Sequence, residues 1–294
     1  MMQKTVACTL MALCLGSLQL FGQETNLLDE LNTPEDDNQQ PVLTFESTRV
    51  VLGPSVRQLT KGELQFRVSH LFGRVSDGIQ ELYGLDQVFN VDLALDYGVS
   101  NRLALGLARS SDFDKTLQSN VKYAILQQRN LGKPAISLSY LAGVNIRTRN
   151  YEVERDFVDR LEYVHQILLA CKFGEQLSGQ LAPGFIHLNR VPTTDHPNSI
   201  WLTGLGLSYR VSPSAAVNVD YQYIFPTFEK DIYDAQKNVL SLGIDVDTGG
   251  HVFQLFITNS TRLQTSGFAQ QWNNDVFFDG DVHVGFSIMR SFSW

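Results

Sequence analysis

Cysteine is scarce, with three in 294 residues; Cys8 and Cys14 lie in an apolar N-terminal stretch and only Cys171 lies beyond it. One cysteine closes no internal disulfide and builds no thiolate metal centre. Long apolar runs are missing too. A spanning helix needs about 20 consecutive apolar residues, and none follows the first two dozen positions, so a helical membrane protein is excluded. Basic clusters are also lacking. Lys and Arg total 23 against 31 Asp and Glu, a formal net charge of −8, which argues against nucleic acid as a partner. Disorder is excluded by an aromatic share of 11%.

What is present begins with a leader. Residues 1–22 carry Lys4, an apolar stretch from Thr5 to Leu20, and then Phe21-Gly22, the layout of a secretory signal peptide with cleavage expected after Gly22. A lipoprotein needs a small residue before the modified cysteine, and Leu13 precedes Cys14. Removing the leader deletes one basic residue and no acid. Residues 23–60 read as an acidic periplasmic linker and possible plug: Glu24, Asp29, Glu30, Glu35, Asp36 and Asp37 come with no basic residue before position 42.

From about Glu63 apolar and polar side chains alternate, the period of a strand with two different faces. In 89–97, Phe89, Val91, Leu93, Leu95 and Tyr97 share one face; Asn90, Asp92, Ala94 and Asp96 share the other. Similar segments run near 64–72, 103–111, 117–127, 135–147, 158–173, 177–188, 199–211, 215–224, 238–248, 251–260 and 281–294, which makes about 12 strands. Joins alternate between short and long. An even-stranded meander with short turns at one end and long loops at the other is the pattern of a closed antiparallel transmembrane β-barrel over 61–294, in the bacterial outer membrane. A soluble sandwich predicts alternation but neither the rotation of joins nor so many charges on the opposite face.

The apolar rows, such as Leu205/Leu207/Tyr209 and Phe253/Leu255/Ile257, then face lipid. Arg67, Asp92, Asp96, Lys122, Arg147, Arg160, Glu162, Asp220, Asp245 and Asp247 are expected to line the lumen, because hydrocarbon would penalise them. Glu63, Lys172 and Arg210 join them in a nearly balanced interior, either a hydrated channel or a closing salt-bridge network. The last segment alternates through Val282, Val284, Phe286, Ile288 and Phe292 to Trp294, resembling the terminal strand that barrel-assembly machinery recognises.

Several constellations bear on chemistry. His165 and His187 fall on the apolar phase of neighbouring strands and are expected close to cross-strand opposition, as interfacial residues, with no serine nearby on that face. His251 stands about 27–30 Å from Asn259 and Ser260 along a strand, too far for a catalytic set. The small rows Ala104/Gly106/Ala108 and Gly204/Gly206/Ser208 either widen a conduit or make room for larger neighbours. The glycines of 73–87 lack the context of a phosphate-binding loop. No catalytic residue, metal or cofactor is expected.

The strings TFESTRVVLGPSVRQLTKGELQFRVSHLFGRVSDG (44–78), LYGLDQ (82–87), LDYGVSNRLALGLARSS (95–111), EYVHQILLACKF (162–173) and TGGHVFQLFITNS (248–260) resemble a Bacteroidota family of predicted outer-membrane β-barrels with no assigned reaction. The resemblance covers almost the whole chain after the leader and favours a packed role for 42–59. The leading expectation is a pore for small polar solutes. The alternatives are a closed structural barrel that meets periplasmic partners through 24–60, and an outer-membrane lipid-modifying enzyme. Expected partners are outer-membrane lipid, the assembly machinery and a small polar solute.

Overall fold

The computed structural model describes residues 41–129, 135–191, 193, 196–226, 237–270 and 276–293. The expected leader, residues 23–40 of the acidic linker, and Trp294 lie outside them. Twelve strands run in order: β1 Leu64–Arg74, β2 Val88–Ser100, β3 Leu103–Ser110, β4 Thr116–Leu126, β5 Ser137–Arg147 and β6 Leu161–Lys172. The second half continues with β7 Leu177–Leu188, β8 Ser199–Ser212, β9 Ala215–Ile224, β10 Val239–Asp247, β11 His251–Thr258 and β12 His283–Phe292. Each pairs antiparallel with its neighbours in sequence, and β1 pairs with β12 from Leu64↔Phe292 to Leu71↔Gly285, which closes the sheet. The fold is the all-β closed meander that the alternation implies.

Strand alternation decides which face is inside. In β2, Asn90 and Asp92 are buried while Phe89, Leu93, Leu95 and Tyr97 are exposed. In β8, Ile200 and Leu202 point inward and Trp201, Leu205, Leu207 and Tyr209 outward. A band of exposed large apolar side chains of this extent requires a covering, and a closed sheet leaves no backbone edge to be solvated inside lipid. Among the described residues no helix is long and apolar enough to cross a membrane; the strands are the crossing elements.

Two details depart from the periodicity. β6 begins at Leu161 rather than near 158, because Val158–Arg160 form a 3-10 turn. The interior is not uniformly polar either. Ile186, Leu188, Ile200, Leu202 and Ile224 occupy the inward phase towards the long-loop ends of β7, β8 and β9, and are fully buried. A row with apolar residues on both faces carries no alternation signal, so the large apolar lining of this sector is not marked in the periodicity.

Leu205 stands near the middle of β8 and Tyr209 nearer its end, both outward. Leu205→Arg is expected to lower folding stability in lipid bilayers by about 2–4 kcal/mol and Tyr209→Arg by about 0–1 kcal/mol. Denaturant titration of refolding into vesicles measures both; equal losses would contradict a lipid-facing band.

Candidate functional site

The lumen is occupied. Residues 42–59 enter from the end that carries the short turns, where the Val42 amide donates to the Gln128 carbonyl at 2.8 Å. They then fold into a hairpin, with Arg49 bridged to Pro54 and the Ser55 amide donating to Thr48 O at 2.9 Å. The local sequence explains the turn: the apolar run Val50-Val51-Leu52 ends on Gly53-Pro54, a dipeptide that breaks strands and favours reversal.

The hairpin is held by side chains from strands around the barrel. At its tip the amides of Val51, Leu52 and Gly53 converge on one carboxylate oxygen of Asp220 in β9, at 3.4, 2.9 and 2.6 Å. Successive amides aimed at one oxygen form an anion-binding concavity, here occupied by the protein's own side chain. Asp220 also accepts from the Gln222 amide at 2.6 Å. Gln180 in β7 accepts from the Val56 amide and donates to the Pro54 carbonyl, both at 2.7 Å. Gln254 in β11 donates to Val50 O at 3.0 Å and to Asp245 at 2.7 Å. Thr48 donates to Gln65 in β1 at 2.8 Å. Lys122 in β4 donates to the carbonyls of Ser55, at 3.3 Å, and Arg57, and Arg210 in β8 pairs with Glu46. Gly206 faces Val50 so closely that a Cβ there would lie 2.9 Å from the valine methyl. That small residue makes room for the hairpin.

A second insert comes from the opposite end. In the β11–β12 loop, Leu263 to Ala269 are buried and include the single helical turn α1 (Thr265–Ala269). Ser266 accepts from Asn145 at 2.7 Å, Gln270 accepts from Arg147 at 2.6 Å, and Arg262 pairs with Asp112 at 3.0 Å and Asp114 at 3.2 Å. The two inserts meet: Val51 and Leu52 share one apolar cluster with Leu263, Phe268, Ala269 and the inward leucines and isoleucines of β7–β9.

The sequence-derived charges take distinct places. Arg67 and Asp92 form a buried pair at 3.4 Å, and Arg147 and Glu162 form another. Lys122, Asp220 and Asp245 bear on the hairpin as described, and Asp96 is half-buried opposite Gly106. Asp247 ends β10 and accepts from the Gly249 amide at 2.8 Å, so it belongs to a turn. Arg160 is not on a strand: it closes the 3-10 turn before β6 and donates to the carbonyls of Arg147, Arg149 and Arg155. The strand expected from 158 begins three residues later, at Leu161. Glu63 accepts from Thr60, and Lys172 donates to the Leu43 carbonyl at 3.4 Å.

His165 stands opposite Phe185 and His187 opposite Tyr163, so the two histidines are diagonal neighbours, close to direct opposition as expected; the expectation of no serine nearby on that face needs correcting. His165 is bonded to the Tyr140 hydroxyl at 2.7 Å and stacks on Phe185. A serine does share the face: Ser199 lies 2.9 Å from His187 Nδ1. Ser199 opens β8 directly opposite His187. Among the described residues no group of three or more His, Cys, Asp and Glu could hold a metal ion.

Outside the strands, burial pushes Asp114 up, but the Arg262 guanidinium and the Tyr151 hydroxyl, 2.8 Å away, outweigh it and hold the carboxyl below its usual range. Burial and Asp114 together push Tyr151 up to about 12. The stabilisation from ionised Asp114 is therefore complete above its unfolded pKa of about 3.9 and is lost as pH falls through and below that value. Hydrogen-exchange protection at residues 262–269, taken relative to the intrinsic rate at each pH, should fall on acidification through this range, and Arg262→Ala should remove that contribution. For the hairpin, Asp220→Asn should weaken the tip by about 1–3 kcal/mol, read as faster exchange of the Val51, Leu52 and Gly53 amides. Unchanged exchange there would show that the carboxylate does not hold the hairpin.

No curated protein matches the chain in sequence. Among solved structures, the NanC porin is similar over 79% of this chain and 100% of its own, at 9% identity and a TM-score of 0.47. The KdgM porin is similar over 79% and 99%, at 8% identity and a TM-score of 0.47. An outer membrane channel from Pseudomonas putida F1 is similar over 81% and 98%, at 14% identity and a TM-score of 0.46. At such values these likenesses imply nothing about what this chain carries. The family of membrane bound beta barrel domains designated DUF5777 matches residues 45–292, the inner hairpin included. A single-chain, even-stranded antiparallel barrel in a membrane is the architecture of bacterial outer-membrane proteins, and by this match the chain belongs to that DUF5777 family of membrane-bound β-barrels and resides in the outer membrane.

Proposed function

We propose that the protein is a gated conduit for a small polar solute, closed by the hairpin of residues 42–59 and by the β11–β12 loop. The observation that carries this reading is the way the lumen is filled. The hairpin is held mainly by hydrogen bonds and ion pairs from inward side chains, and those side chains would line a hydrated passage if it moved aside. Water can replace such bonds at small net cost, because an intramolecular hydrogen bond is worth only about 0.5–1.5 kcal/mol over its hydrated alternative. Outer-membrane lipid around the band and the assembly machinery at the C-terminal strand are the partners this reading includes.

A second reading, a closed structural barrel that meets periplasmic partners through its N-terminal segment, is favoured by the same filling. An enzymatic reading has less support. Ser199 and His187 form a pair, but a hydrolytic centre needs a third group to orient the base, and no carboxylate or carboxamide bond to His187 is found among the described residues.

Planar-bilayer recording separates the readings. The full chain should open rarely, Asp220→Ala more often, and deletion of residues 42–59 should give long-lived conductance steps. A silent bilayer for all three proteins would favour the closed structural barrel.

A further inference from the structure

The hairpin does not fill the lumen evenly. Between it and the β1–β5 wall lies a cavity of about 50 Å³, lined by Arg49 and Pro54 of the hairpin, by Arg67, Asp96 and Lys122, and by the small side chains Ala94, Ala104 and Ala108. A second cavity, of about 60 Å³, shares Arg49, Pro54, Gln118, Asn120 and Leu141 with the first and continues past Gln166 to Thr265 and Ser266 of α1. Each has room for a few waters, since one water needs about 10–15 Å³ of such space. Gln166 is buried, and neither its amide nitrogen nor its oxygen has a hydrogen-bond partner among the described residues. A carboxamide left in that state lines a place for water or a polar ligand.

The charge around this line of cavities is lopsided. Arg49, Arg67 and Lys122 border the lower cavity and Asp96 is the carboxylate on its wall, while Asp92 stands behind, paired with Arg67. Of the other interior carboxylates, Glu162 on β6 is paired with Arg147, and Asp220 and Asp245 lie across the lumen on β9 and β10, committed to the hairpin amides and to Gln254. At the short-turn end the line of approach starts in an open vestibule of about 900 Å³, bordered by Arg129, Lys172 and Arg210 with Glu175. Walls of low dielectric focus the field of such groups into the space they enclose.

Building on the conduit reading, we infer that the solute path runs along the β1–β6 wall beside the hairpin and selects small organic anions, those bearing a carboxylate or phosphate. Opening then needs displacement of the bridged Arg49 and Pro54 side chains, which line both cavities, rather than expulsion of the whole segment. Lys122 and Arg49 act as positioning cations for the anion in transit.

The test is the reversal potential of the full chain, and of Asp220→Ala, in planar bilayers under a potassium chloride gradient, followed by substitution of gluconate for chloride. An anion-to-cation permeability ratio of about five or more is expected, with gluconate still carrying current. Lys122→Glu should bring the ratio to about one or below. Asn120→Asp, nearly isosteric on the same wall, should lower it in the same direction and serves if the first variant does not assemble. Conductance that is non-selective or prefers potassium, or selectivity unmoved by both variants, overturns this inference and leaves the conduit standing. Silence in the full chain, in Asp220→Ala and in the deletion of residues 42–59 overturns the conduit and this inference with it.

Discussion

A peptide group in hydrocarbon must find its hydrogen-bond partner within the protein, because none is available from the solvent and each orphan costs several kcal/mol. The β1–β12 ladder meets that requirement for the first and last strands at once. Everything else follows from having to close it. A closed sheet has an inside and an outside, and a strand period of two assigns each side chain to one of them. Outside, lipid rewards Leu95, Leu205 and Leu255. Inside there is no lipid, and the sheet's own curvature leaves a space that strand side chains alone do not fill.

The chain fills that space with parts of itself. The hairpin 42–59 brings Val50, Val51 and Leu52 to a tube whose lower and β1–β5 walls are polar, and the Asp220 carboxylate accepts the amides that the turn would otherwise leave unpaired. Burying that carboxylate carries a desolvation cost, which three amides and the Gln222 amide offset. The polar wall thus serves the hairpin much as a helix cap serves a helix end: it satisfies backbone groups that have no ladder partner. Towards the long-loop ends of β7–β9 the wall turns apolar, and there the hairpin tip and the β11–β12 loop pack against it and each other.

Most of the barrel was legible in the sequence, because the outward rows are mainly apolar and most joins alternate in length. The pattern in 89–97 carried over to the structure residue by residue, since Asn90 and Asp92 are buried while Leu93 and Leu95 are not. The lumen contents were less legible for definite physical reasons. Ile200, Leu202 and Ile224 are inward yet apolar, so period-two reasoning has no contrast to detect there. The partners of Asp220 are backbone amides, which have no residue-type signature. The joining of Arg262 to Asp112, 150 positions apart, rests on a loop folding back, which no local pattern encodes. Arg49 and Gln180 could have been suspected, because a Gly53-Pro54 turn after an apolar run signals a compact hairpin that must then be held by something.

The two inserts are coupled through the apolar cluster they share. If the hairpin tip withdrew, Leu52 would leave Leu263 and Phe268 facing a widening polar space, and their burial, favourable by roughly 25 cal/mol per Å² of apolar surface, would be lost. The loop would in turn lean on its polar anchors at Asp112, Asp114, Asn145 and Arg147. Loosening either end therefore weakens the other, and motion confined to the β2–β4 side, which gives no residue to the apolar clusters and borders a small cavity, breaks fewer apolar contacts than withdrawal of the tip. The asymmetry of the filling thus selects the side on which the barrel can open while its apolar half stays packed.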